Sequence, residues 1–180
     1  MINLDEIYIK HYCHPNCEPF MNICRLPKDD AFSLANIMAK ADKSSNNSFS
    51  RFSNFEVYYP RRMEVDEYLH NSFISLGGNP KEEHPIFFVL HESKSLEEWM
   101  GSWNSYEILL KNIPSEYISF TLDDSIVSLR QKGKLTMYTK ETLSQILRKY
   151  RGTIDDYLNE LTKKYYCIEV QLWNDDYCIQ

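Results

Sequence analysis

Long apolar runs are missing from this chain. Ile86–Leu90 (IFFVL) is typical of what it has, far short of a membrane span. The N-terminal residues MINLDEIYIK lack the basic start and small-residue cleavage site of an export signal, and the expected compartment is the cytosol. Five cysteines (Cys13, Cys17, Cys24, Cys167, Cys178) form no even set, which argues against a disulfide framework and fits reduced thiols. No internal repeat occurs. None of His70, His84 and His91 has an evident Ser or Cys nucleophile set beside it.

The remaining composition is that of an ordinary globular protein, 43% hydrophobic and 26% charged over 180 residues, enough for one well-buried domain. A net charge of −6 opposes general binding to nucleic acid or anionic membranes. Positive charge gathers locally at Arg130, Lys132, Lys134, Lys140, Arg148, Lys149 and Arg151, against Glu141 alone. Near a helix C-terminus such charges suit the macrodipole, and a solvated face is the expectation.

Periodicity predicts a first strand over Ile7–Tyr12 and a helix over Asp29–Ala41, with Ala31, Leu34, Ala35 and Met38 on one side. Lys43–Asn47 (KSSNN) is expected to be a surface loop and Phe49–Phe52 a short strand. A helix is expected to start at Pro60, where the missing N–H costs nothing, and to stop at a left-handed Gly77. Its stripe is Val65, Leu69, Phe73 and Leu76. Met63 and Ile74 lie opposite, marking a helix packed on both sides.

Ile86–Leu90, without polar alternation, reads as a strand covered on both faces. Ser95 and Glu98 predict a capped helix carrying Leu96, Trp99 and Met100. Tyr106–Lys111 and Tyr117–Leu122, separated by Asn-Ile-Pro, suggest an antiparallel pair. Asp123–Gln131 is a predicted helix ending at Gly133, and Leu135–Tyr138 a short strand. Helices based on Leu143/Leu147 and Ile154/Leu161 follow, then a last strand through Ile168, Val170 and Leu172. The expected class is a single α+β domain over residues 1–180, with a mixed, mostly antiparallel sheet of about six to seven strands and about five to six packed helices.

The block from Ser48 to Leu90 holds the leading candidate site. Arg61 and Arg62, next to Tyr58 and Tyr59, are expected to line an anion-accepting cleft, with Arg51 and His84 as neighbours. The plainer alternative is an i,i+4 pair of Arg62 with Asp66 whose stem covers apolar surface. His11, Cys13, His14, Cys17 and Cys24 are metal-ligand types, but a second paired motif is lacking and no metal or cofactor is expected. Glu67-x-x-His70 is a single copy of a motif that di-metal bundles need twice.

YYPRRMEVDEYL, FISLGGNP, HPIFFVL, ISFTLDDS and IEVQLWND resemble segments of a group of small uncharacterised bacterial proteins described only as group-specific. That resemblance implies a bacterial, cytosolic origin and carries over no activity or functional residue. Arg25, Ser48-Phe49-Ser50 and Glu169-Val170-Gln171 stand in an order that looks like ADP-ribosyltransferases of the Arg, Ser-x-Ser, Glu-x-Glu type. There the Arg and Ser positions hold NAD and a strand glutamate stabilises an oxocarbenium-like centre. This chain has Gln171 in place of the second, catalytic glutamate and no central Thr between its serines. The functional expectation is a non-catalytic domain binding a small anionic ligand or a protein partner, as a monomer or small homo-oligomer. The alternative is an ADP-ribosyltransferase-like, NAD-using enzyme.

Overall fold

The computed structural model describes residues 2–41, 50–100 and 103–178. Six strands, β1 (Tyr8–Cys13), β2 (Ile86–Leu90), β3 (Asn104–Leu109), β4 (Ile118–Leu122), β5 (Met137–Thr139) and β6 (Ile168–Leu172), form one sheet in the order β3-β1-β2-β6-β4-β5. Every pairing is antiparallel. Among the described residues six helices pack with it: α1 (Lys28–Ala41), α2 (Phe55–Ser75), α3 (Lys94–Met100), α4 (Ser125–Lys132), α5 (Lys140–Lys149) and α6 (Ile154–Leu161). The α+β class is as expected, and the sheet is wholly antiparallel.

Strand alternation gives this sheet two unlike faces. Ile9, Phe88, Leu90, Ile118, Phe120, Ile168, Val170 and Leu172 form one, a single apolar layer closed by Leu143 and Leu147 of α5 and Leu158 of α6. On the other face a cross-strand row runs Glu107–Lys10–Val89–Glu169–Thr121–Met137 through all six strands. The next row holds Phe87, Gln171, Ser119 and Thr139. This second face is covered where Val65, Leu69 and Phe73 of α2 meet Trp173, Ile126 and Leu129.

Helix α2 begins five residues before the position expected, so Pro60 lies within it and removes one backbone bond. Aromatic packing compensates: Phe55 sits 4.9 Å from Phe32 and 5.5 Å from Phe52, beside Ala31 and Ala35 of α1. Arg51 and Phe52 belong to a 3₁₀ turn, Ser50–Asn54, and not to a strand; Phe49 and the Lys43–Asn47 loop lie outside the described residues. Spacing of Phe52, Phe55 and Tyr59 is helical, which the strand expectation overlooked.

At the other end Gly77 takes φ +91°, with Gly77 N bonded to Ile74 O and Gly78 N to Phe73 O, a Schellman stop. A Cβ on Gly78 would lie 2.5 Å from the Phe73 ring, so glycine is required there by packing as well. For α3, Ser93 and not Ser95 supplies the cap, its Oγ accepting from Leu96 N.

β3 and β4 do not pair with each other. β3 is an edge strand on β1, while β4 lies between β5 and β6. The connection runs through two 3₁₀ turns, Leu110–Asn112 and Ser115–Tyr117, and buries Leu110 and Ile113, whose carbonyls both accept from the Lys140 ammonium. Burial lowers the pKa of that ammonium, and the other cations of the basic run (Arg130, Lys132, Lys134, Arg148, Lys149, Arg151) are exposed. No helix among the described residues is long and apolar enough to cross a membrane.

Candidate binding site

A cavity of about 470 Å³ opens onto the polar face of the sheet. Its walls come from β1 and β2, from α1, α2, α3 and α4, and from the start of β6. Tyr58, Phe87, Trp99 and Trp103 supply aromatic surface, Leu34, Met38, Met100 and Val127 aliphatic surface, and Arg62, Asp124 and Glu169 the polar end. This combination of apolar walls and a few convergent polar groups is how small-molecule sites are built. A larger groove, about 900 Å³, runs outside α2 past Tyr59, Met63, Glu67 and His84.

Arg62 is only 6% exposed. It is fixed by an ion pair, its Nε donating to Asp66 Oδ1 at 2.6 Å, while Nη2 donates to Ser125 Oγ at 3.3 Å. The guanidinium also lies 4.4 Å from the centre of the Phe87 ring. Asp66, fully buried, accepts further from His84 Nδ1 at 2.9 Å and from Asn22 Nδ2 at 3.4 Å. The Arg62 charge is thus compensated within its own helix.

Glu169 is 9% exposed and held by a polar ladder along β6 and β4. Trp173 Nε1 donates to Ser119 Oγ at 2.8 Å, and Ser119 Oγ donates to Gln171 Oε1 at 2.9 Å. Gln171 Nε2 in turn donates to Thr121 Oγ1 and to Glu169 Oε1, both at 3.0 Å. The other Glu169 oxygen accepts from Ser125 N at 3.3 Å. Burial, reinforced by the Asp124 carboxylate and partly offset by Arg62, raises the Glu169 pKa to about 7.

Asp124 reaches this site through a strained corner. After β4 ends at Leu122, Asp123 takes φ +72° and accepts from Tyr166 N; Asp124 then caps α4, its Oδ1 accepting from Val127 N at 2.9 Å. On the opposite wall Lys10 is enclosed by Glu97 at 3.4 Å and Glu107 at 3.3 Å.

Of the predicted site residues, Tyr58 and Arg62 line the cavity together, and Arg51 joins them 5.9 Å from the Tyr58 ring. Tyr59 faces the outer groove and packs on Phe32 and Phe55. Arg61 is exposed and lines neither space. Both arginines sit in the second turn of α2, away from the N-terminal amides that an anion would use. His84 is bound to Asp66 on the outer side.

Arg25 donates to the His84 carbonyl at 2.7 Å and pairs with Asp175; it does not line the cavity that Glu169 faces. Ser48 lies outside the described residues.

All five cysteines are free thiols, and burial raises the Cys13 pKa to about 11 and the Cys24 pKa to about 12. Among the described residues no group of three or more His, Cys, Asp or Glu side chains is placed to hold a metal ion.

Sequence reasoning missed Asp124, Gln171, Ser119 and Thr121 as parts of this site. The signal was present: ISFTL and IEVQL both place polar residues at their second and fourth positions, which share one face of paired strands. Comparison with protein-family models, with curated proteins and with solved structures found no match to this chain.

Proposed function

We propose that this chain is a non-catalytic binding domain that takes a small molecule into the cavity on the polar sheet face. The flat apolar part of the ligand lies against Tyr58, Phe87 and Trp99, and its polar end meets Arg62, Asp124 and Glu169. One observation carries this reading: a space of about 470 Å³ ends at a buried polar cluster built from α2, α4 and β6. An interior filled only for stability would have no reason to bury so many polar groups beside an open volume. Burial keeps the cavity thiols Cys13 and Cys167 protonated, which favours binding over thiol chemistry. Residence in a bacterial cytoplasm is part of the same proposal, supported by the free thiols and by the resemblance of the quoted segments.

Glu169 facing the cavity is the observation that favours the second reading, an ADP-ribosyltransferase-like enzyme. The commitment of Arg25 to Asp175 and His84 weighs against it.

The test is a screen of flat aromatic fragments by amide NMR. Shifts should cluster at Tyr58, Val89, Val127 and Cys167, and Leu34→Trp, which fills the space from α1, should abolish them. Scattered shifts indifferent to Leu34→Trp would remove the cavity as the site. Nicotinamide release from NAD that Glu169→Gln abolishes would replace this reading with the second.

A further inference from the structure

We propose that the ligand of this cavity carries an ammonium or amidinium group, bound between the carboxylates of Asp124 and Glu169, with an aromatic or aliphatic body against the Tyr58 and Trp99 walls. This rests on the binding reading above and adds the chemical class of the ligand.

The cations on the cavity wall are already engaged. Arg62 is held by Asp66, Lys10 by Glu97 and Glu107, and Arg51 stacks over Phe52 and Tyr58. Asp124 and Glu169, in contrast, form no ion pair among the described residues. Glu169 is nine-tenths buried, lines the cavity and receives only neutral donors, Ser125 N and Gln171 Nε2. Asp124 uses one oxygen to cap α4 and leaves Oδ2 without a hydrogen bond among the described residues. Glu169 is a buried carboxylate of the kind that normally has a cationic partner, and it lines the open space together with the half-buried Asp124.

The Asp124 carboxylate acts on Glu169 in the same direction as burial, raising its pKa against the pull of Arg62. An incoming ammonium would reverse that balance, and the aromatic rings beside it would contribute cation–π attraction.

Proton release should accompany binding. Glu169 near neutral pH exists partly as the acid; a bound cation favours the carboxylate, and the displaced proton passes to buffer. The groups facing Glu169 are Asp124 and Ser125 from α4, Arg62 and Tyr58 from α2, Thr121 from β4, Val89 from β2, and Cys167 with Gln171 along β6. Burial raises the Tyr58 and Cys167 pKa values, so neither group competes for this proton near neutrality.

The experiment is calorimetric titration of the whole chain with three probes of matched body: 2-phenylethylammonium, 2-phenylethanol and 3-phenylpropionate. The ammonium should bind about tenfold or more tighter than the alcohol, the gain of one charge-assisted contact, and the carboxylate weakest. Ammonium affinity should rise from pH 6 to pH 8, with heats differing between phosphate and Tris in proportion to proton release. Glu169→Gln, whose amide oxygen can still accept from Gln171, and Asp124→Asn, which keeps the α4 cap, should each cost the ammonium about that tenfold and so narrow its advantage over the alcohol. Equal binding of the three probes, or preference for the carboxylate, would overturn the proposal while leaving the cavity as a binding site. No binding by any of them, in a chain whose NMR spectrum is folded, would overturn both.

Discussion

The two faces of this one sheet share backbone, register and hydrogen bonds and differ only in which side chains alternate toward them. Along β4 and β6, Ile118, Phe120, Leu122, Ile168, Val170 and Leu172 turn to an apolar layer under α5 and α6. Ser119, Thr121, Glu169 and Gln171 turn the other way, into a buried polar ladder that ends at the cavity. The difference teaches where stability and function reside. The apolar face gains from every residue it removes from water. The polar face must satisfy each buried group merely to break even, and Glu169 is satisfied only in part.

The sharpest way to break this contrast is to compare neighbours on one strand. Phe120→Ala should cost about 3–5 kcal/mol in urea unfolding. Ser119→Ala, which strips the acceptor from Trp173 and the donor from Gln171, should cost about 1–3 kcal/mol. Equal losses would mean that the two faces carry the fold alike.

Glu169→Gln should have the opposite sign. The folded protein holds this carboxyl near pKa 7 against an ordinary value of 4.5, so between those pH values the native state binds more protons than the unfolded chain. Stability is then fully present below about pH 4.5 and declines as pH rises through 7. The substitution should stabilise by on the order of 3 kcal/mol at pH 8 and by little at pH 4. A uniform effect at both pH values would point to packing instead of charge. The smallest effect belongs to the surface: Arg61→Ala should change stability by about 0.5 kcal/mol or less in the same assay. A larger loss would give Arg61 a role that its exposed position denies.

Much of the fold was legible because it rests on periodicity. Helix spacing located α1, α5 and α6, and Gly77 and Gly133 marked two helix ends that the structure closes in the left-handed conformation. What misled was local punctuation outweighed by tertiary contacts. Pro60 looked like a helix start, yet the Phe32–Phe52–Phe55–Tyr59 cluster extends α2 five residues upstream, without a side-chain cap from Asn54. Asn112-Ile113-Pro114 looked like a hairpin turn, yet the chain there crosses to the far part of the sheet, pinned by the Lys140 ammonium.

The site was half legible for a similar reason. Tyr58 and Arg62 stand out in a compact aromatic and basic block, whereas Asp124 and Glu169 are 45 residues apart and meet only when β4 pairs with β6. Which of the adjacent arginines turns inward follows from the helix phase: Arg62 lies on the Val65/Leu69 side, four residues before Asp66, and is buried, whereas Arg61 is exposed.

The most direct measurement is a carbon-detected NMR pH titration of the Glu169 carboxyl, repeated with 2-phenylethylammonium present. A midpoint near 7 that falls when the ammonium binds is the outcome expected of a buried carboxyl awaiting a cation. A midpoint near 4.5 in the free protein, unmoved by the probe, would contradict it.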